Sequence, residues 1–282
     1  MSIAQYVGSV MFGDHFNKII GHIPLLKFMN DNDKHYDLQY KDGINHDILP
    51  FNSSGTCSKG GIYITTVEYW SSYIYSYGKY AREVRIPDDA YVFIESLSKF
   101  KCSQIWLGIR EEKIKLVEYM FDKYIKASKS QDVIHKILSI DINTIYHINP
   151  EHIGIETLTK IIKTNGFYLE MMLGVINPLN LNLNQIQGLF LEAVKQNGLS
   201  LKLIPRELRT FEILLFAIKQ NGLSLEYIDP CDQTYRLQME AVKQTGHAIK
   251  YIRQESRNRD IIKLALKTPD TLKYLGNYGN YD

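Results

Sequence analysis

Cysteine is scarce in this chain. Cys57, Cys102 and Cys231 are scattered over 282 residues with no CxxC pair, which argues against a disulfide framework and a cysteine-based zinc site. Reduced thiols in a cytosolic setting are the expectation. Long apolar runs are missing as well. No stretch reaches the roughly 18 residues needed to cross a bilayer, so a membrane is not expected among the partners. The opening residues, MSIAQYVGSVMFGDHF, lack a basic segment followed by an apolar core and predict no secretory leader. An excess of charge is absent too. Lys plus Arg number 33 against 31 Asp plus Glu, a formal +2, so the molecule as a whole is not built to hold a polyanion.

What is present is an ordinary globular composition. Hydrophobic residues make up 45% and charged residues 23%, enough for one large domain or two modest ones. The 20 tyrosines, beside frequent Ile, Asn and Lys, fit an AT-rich genome and are not read as function.

The second half repeats itself. AVKQNGLSLKLI begins at Ala193, AIKQNGLSLEYI at Ala217 and AVKQTGHAIKYI at Ala241, each 24 residues after the last. In the middle copy Phe211, Leu214, Leu215 and Ile218 share one helical face, and Thr210 is placed to cap it. Asn221-Gly222 ends the helix, and the glycine is expected in the left-handed conformation of a helix C-terminus. Leu223, Leu225, Tyr227 and Ile228 form a shorter apolar segment, and Asp229-Pro230 breaks the chain. A fourth copy starts at Ala265. Weaker copies lie upstream around Gly166, displaced by an insertion of about eight residues, and around Ile137. The reading is an α-solenoid of about six 24-residue helix-turn-helix repeats spanning 129–276, with 277–282 a flexible tail. Recurrent residues are assigned to packing, because a catalytic site is needed once.

Exposed positions are where such a region binds. KYIRQESRNRDIIK carries Lys250, Arg253, Arg257 and Arg259, a candidate interaction surface for an acidic partner or for phosphate. Glu255 and Asp260 interrupt the patch, and no stacking or base-reading motif accompanies it. Nucleic acid is therefore the lesser reading.

Residues 1–128 show no such rhythm. YDLQY, GIYITT, YAREVRI, AYVFI and SQIWLGI read as strands, VEYWSSYIYSYGKY as an aromatic helix, and REEKIKLVEYMFDKYIKASK as an amphipathic helix leading into the repeats. This makes an α+β N-terminal domain over 1–128. Within it, PFNSSGTCSKGGIYITT has three glycines around Thr56, Cys57, Ser58 and Lys59. The order differs from a phosphate loop. A Cys57 nucleophile would need a base such as His46, and a metal site from Cys57, His35 and His46 follows no standard spacing. A structural loop is the preferred reading.

QYKDG, FNSSGTCSKGGIYIT, REVRIPDDAYVF and KFKCSQIWLGIRE together resemble the N-terminal domain of uncharacterised repeat proteins of giant DNA viruses of the mimivirus type. The A-V-x-Q-N-G-x-x-L-x-Y pattern likewise resembles a short helical repeat, without the TPLH signature of ankyrin. The resemblance spans nearly the whole chain. It implies a viral interaction protein that binds a host or viral protein in the host cytoplasm, the viral factory or the virion, with no cofactor and no catalytic residues. GGIYITTVEYWSSYI is also similar to the strand-then-helix segment of ADP-ribosyltransferases. That resemblance implies Tyr63 as a nicotinamide-stacking residue, with Thr65 and Cys57 beside it and His35 and Glu95 as further participants.

Overall fold

The computed structural model describes residues 2–54, 58–75, 78–128, 130–176 and 181–275. The tail expected over 277–282 lies outside them. The chain forms two compact units, Met1–His152 and Ile153–Asp282.

Among the described residues the first unit is built on eleven strands. These are β1 (Val10–Phe12), β2 (Leu25–Met29), β3 (Lys34–His35), β4 (Leu38–Gln39), β5 (Gly43–His46), β6 (Ile62–Thr66), β7 (Tyr80–Arg85), β8 (Tyr91–Ser96), β9 (Lys99–Cys102), β10 (Gln104–Leu107) and β11 (Glu111–Glu112). The main sheet runs β1-β8-β9-β6-β2-β7-β10-β5, with β11 added to β7. Its pairs are antiparallel, as short connections between most of its strands allow. Helix α1 (Gly13–Ile20) contributes Phe16 and Ile20 to a core that also holds Ile64, Val92, Ile94, Phe100 and Cys102. Phe16 meets Phe100 edge-on, with ring centroids 5.1 Å apart, the arrangement the ring quadrupoles favour.

One irregularity in the sheet creates a site. β2 and β6 pair only at Leu25↔Thr66 and Leu26↔Thr65. Beyond that point β2 continues along β7, from Leu25↔Val84 to Met29↔Tyr80. β6 instead turns to β9, from Ile64↔Phe100 to Ile62↔Cys102. The two strands part, and a cleft opens between them.

The expected aromatic helix over 67–80 is instead a 3-10 turn, Val67–Ser72, interrupted at Tyr69, and β7 begins at Tyr80. Glu68 and Trp70 of that turn are buried and hold the end of the unit together. The Glu68 carboxylate accepts from the Tyr124 hydroxyl at 2.8 Å and from Lys136 at 2.8 Å. Tyr124 lies on α2 (Lys113–Ser128) and Lys136 on α3 (Gln131–Ile140). Trp70 Nε1 donates to Thr144 Oγ1 at 3.4 Å, and its ring packs edge-on against His147 at 4.9 Å. His152 is bound to Asp122 of α2 at 2.8 Å. These contacts gather α3 and the 3-10 turn Ile142–His147 with the sheet in the first compact unit, which runs to His152.

The second unit continues the same helix-then-3-10 plan. α4 (Ile155–Thr164) is followed by Gly166–Tyr168 and α5 (Leu169–Ile176). α6 (Leu183–Gln196) precedes Gly198–Leu203, α7 (Phe211–Gln220) precedes Gly222–Tyr227, and α8 (Tyr235–Gln244) precedes Gly246–Tyr251. α9 (Arg259–Ala265) precedes Thr271–Tyr274. With α3 and its turn, that is six helix-plus-turn pairs among the described residues. Packing runs in chain order, α4 on α6, α6 on α7, α7 on α8 and α8 on α9, while consecutive 3-10 turns touch alongside.

The repeated residues supply the contacts. Thr210 and Thr234 cap α7 and α8 by accepting from Ile213 and Leu237 amides. The asparagine at the end of α4, α6 and α7 caps the 3-10 turn that follows. Asn165, Asn197 and Asn221 accept from the amides of Phe167, Leu199 and Leu223 at 3.0, 3.1 and 3.0 Å. The glycines after them do not take the left-handed conformation predicted from the sequence; among the described residues the glycines with positive φ are Gly8, Gly21, Gly43, Gly60 and Gly61. Their role is close approach. A Cβ on Gly166, Gly198, Gly222 or Gly246 would fall less than 3.0 Å from the carbonyl oxygen of Ala193, Ala217, Ala241 or Ala265 in the next unit. Those four alanines are all fully buried. The glycine and the alanine are thus two halves of one contact, repeated unit after unit.

Two polar clamps run alongside it. The Gly198 amide donates to Gln220 Oε1 at 2.6 Å and the Gly222 amide to Gln244 Oε1 at 2.8 Å. Gly166 uses Gln196 at 2.8 Å and Gly246 uses Thr268 at 3.0 Å. On the other side, Arg209 donates to the carbonyls of Ile204 and Tyr227, and Arg257 to those of Ile252 at 2.9 Å and Tyr274 at 2.7 Å. Gln233, midway in register, donates to Ile228 at 2.9 Å and Tyr251 at 3.2 Å. The first clamp satisfies an amide N–H at the start of a 3-10 turn, and the second satisfies carbonyls at its end.

Candidate functional site

The packing lattice determines which repeat positions are free. Alanine, glycine, glutamine and the 209/233/257 position are committed to neighbours. The first residues of α7, α8 and α9 are not. Phe211 and Tyr235 stand there, 24 residues apart, with 43% and 51% of their surface exposed, and Arg259 follows at the same spacing. The Arg236 guanidinium lies over the Phe211 ring at 5.4 Å, which places α8 residues beside those of α7. The second unit therefore carries a ridge of two exposed aromatics and two arginines. These side-chain types dominate the energetics of protein interfaces.

The basic surface expected from the sequence is divided by the fold. Arg257 does not belong to it, because its guanidinium is half-buried and spent on the carbonyls of Ile252 and Tyr274. Arg253 and Arg259 are exposed. Lys250 is exposed, and its ammonium lies 4.6 Å from the Tyr251 ring and 5.9 Å from the Tyr274 ring. Asp229, Cys231 and Asp232 cluster at the surface. Arg206 already occupies that cluster, pairing with Asp229 and with Asp232 at 2.9 Å.

The cleft in the first unit lies where β2 parts from β6. It is lined by Lys27, Tyr40, Tyr63, Thr65, Tyr73 and Lys99 among others, with His35 and Lys34 at β3, and encloses about 560 Å³ counted out to solvent. His35, Tyr63 and Thr65, noted from the sequence, are thus brought together. Cys57 lies outside the described residues. His35 is half-buried, and burial followed by the nearby Lys27 charge holds its pKa below the ordinary histidine value. Glu95 pairs with Lys99 at 3.0 Å. Lys99 in turn lies 4.4 Å from the Tyr63 ring, and Lys101 lies 5.4 Å from it. A nicotinamide cation on that ring would meet two ammonium groups, so the arrangement does not favour the stacking role that the transferase resemblance implied for Tyr63. Thr65 donates to the carbonyl of Thr66 at 3.4 Å.

Lys27 is the residue of this cleft that sequence reading missed. It sits within a fully buried strand and is 6% exposed. Its ammonium donates to the Tyr63 carbonyl at 3.0 Å across the gap between the strands and lies 4.7 Å from the Tyr40 ring. Burial, opposed weakly by Cys102 and Asp47, lowers its pKa from 10.5 to about 8. The one signal in the sequence was a lysine inside the apolar run LLKFM.

Comparison with known proteins touches mainly the repeats. A family model described as a domain of unknown function, DUF4116, matches residues 188–231, from within α6 through the 3-10 turn after α7. Over 85 residues the chain is 32% identical to a putative ankyrin repeat protein of Acanthamoeba polyphaga mimivirus, covering 27% of this chain and 27% of that protein. The chain thus spans about a quarter of the relative it matches. No solved structure matches. The unit seen here, one helix and one 3-10 turn at a 24-residue pitch, differs from the 33-residue, two-helix ankyrin unit. The similarity is to a giant-virus repeat protein, in a chain whose sheet-rich region precedes a helical one.

Proposed function

We propose that this chain is a non-enzymatic interaction protein of a giant virus. Its helical repeats form an α-solenoid that binds a host or viral protein, in the host cytoplasm or the viral factory. The observation that carries this reading is the ridge of Phe211, Tyr235 and Arg259, exposed at one repeat position beside the buried alanines that stack the units. Stacked units present such positions side by side, and their side chains are free to vary because the lattice beneath does not use them. Similarity to a mimivirus protein whose name records ankyrin repeats supports the same class of role.

The test is quantitative affinity capture with the full chain and a triple variant, Phe211→Ala, Tyr235→Ala, Arg259→Ala. The reading expects a saturable partner from infected-cell extract that the triple variant fails to retain, with circular dichroism unchanged. A partner held equally by both proteins, or no saturable partner at all, overturns it.

A further inference from the structure

The cleft between β2 and β6 holds a buried charge that no anion of the described residues answers. Lys27 is 6% exposed and has one hydrogen bond, to the Tyr63 carbonyl, where an ammonium carries three donors. No carboxylate of the described residues lies within ion-pair distance of it, and no Asp or Glu is among the residues that line the cleft. The lining also holds Lys34, together with His35, whose pKa is lowered by burial, and Lys99, which is paired with Glu95 at 3.0 Å. Taking an ammonium out of water costs several kcal/mol unless an opposite charge accompanies it. As a strut between strands, Lys27 needs one donor to a carbonyl, which a neutral amide side chain would give at far lower cost. A buried ammonium with donors unused inside a cleft is the complement of an oxyanion, and Lys27 with Lys34 matches the double charge of a phosphate better than the single charge of a carboxylate.

The geometry points to a binding site for a small phosphate-bearing molecule, its phosphate held by Lys27 with Lys34 beside it. The site lies wholly in the first unit and is independent of the protein-binding ridge. The cleft opens to solvent, so a phosphate can enter it while the rest of its molecule stays outside.

Binding is coupled to protons. The groups around Lys27 are Tyr63 of β6, Cys102 of β9 with its thiol pushed up by burial, Asp47, His35 and Tyr40, and Arg82 opposite it on β7. Arg82 is neutralised by Asp33 at 2.7 Å and by Asp42. With Lys27 titrating near pH 8, a bound phosphate holds its proton on, so the complex takes up protons around that pH and loosens above it.

Isothermal titration of the full chain tests this with inorganic phosphate and adenosine monophosphate as probes and acetate as comparator. Measurements run at pH 7.5 and 9.5, and at pH 8 in two buffers of different ionisation enthalpy. Saturable phosphate binding, weakened about tenfold or more at the higher pH and by Lys27→Met, is expected, as is proton uptake by the unmodified protein at pH 8. The exposed-cation variant Arg253→Ala leaves binding unchanged. No saturable binding of either phosphate probe, acetate binding equal to phosphate, or binding indifferent to pH overturns the proposal. Proton uptake is read on the unmodified chain, so the test stands even if Lys27→Met fails to fold.

Discussion

Replacing Gly222 by Ala adds one methyl group at the tightest point of the repeat lattice. That carbon would lie less than 3.0 Å from the Ala241 carbonyl oxygen, 2.9 Å from Gln244 Oε1 and 3.0 Å from Thr245 Cγ2. The first obstacle is helix backbone and cannot rotate away, so α8 must retreat. Retreat lengthens the 2.8 Å bond from the Gly222 amide to Gln244, worth about 1 kcal/mol. Overpacking strain adds about 1–3 kcal/mol. The total is a loss of about 2–4 kcal/mol, read as a fall in the urea midpoint with unchanged slope. Gly188 provides the opposite case. It lies inside α6, and a Cβ there would meet nothing within 4 Å; Gly188→Ala is expected to stabilise by about 0.5–1 kcal/mol. Gly222→Asn separates close approach from a left-handed turn, because asparagine tolerates positive φ but not the Ala241 carbonyl. Asn at 222 tolerated with a loss of a few tenths of a kcal/mol would refute the packing argument.

The remaining predictions concern the clamps and the buried charges. Arg257→Ala frees the carbonyls of Ile252 and Tyr274 and is expected to cost about 1–3 kcal/mol in urea unfolding, whereas exposed Arg253→Ala stays within about 0.5 kcal/mol. Glu68→Ala leaves the buried Tyr124 hydroxyl without its 2.8 Å partner and removes the Lys136 pair; a loss of about 2–4 kcal/mol is expected, with little change on Lys136→Met alone because that end is half-exposed. Lys27 titrates near pH 8 folded and at 10.5 unfolded. Between those values the unfolded chain binds the extra proton, so stability rises with pH there. The difference between the unmodified chain and Lys27→Met therefore shifts in favour of the unmodified chain by about 3 kcal/mol from pH 7 to 11, and a flat difference would contradict the burial of a charged Lys27.

Helical period and spacing were the legible part of this sequence. Phe211, Leu214 and Ile218 mark a helix because a 3.6-residue period shows on any one copy, and Ala193, Ala217 and Ala241 mark their alignment because the pitch does not vary. The reason for Gly222 was not legible. Asn-Gly after a helix signals a left-handed cap as readily as a close contact, and only the neighbouring Ala241 carbonyl decides between them. Arg257 was misread for a similar cause: an arginine among charged residues looks solvated until its carbonyl partners, five and seventeen residues away, are placed. In the sheet unit β6, β7 and β8 showed alternation, but β2 did not, because it is buried on both sides and its pattern is a solid run broken by one lysine. The cleft depends on two strands parting after two paired residues, Leu25↔Thr66 and Leu26↔Thr65. That is a property of pairing between segments about 40 residues apart, and local pattern does not carry it.

Amide hydrogen exchange on the full chain, compared with Gln244→Ala, bears most directly on whether each repeat is locked to the next by a contact of its own. The lattice predicts that Gly222 loses its protection about tenfold or more in the variant while Gly198, bound to Gln220 at 2.6 Å, keeps it. Equal protection of Gly222 in both proteins, or uniform loss across the repeats, would contradict it.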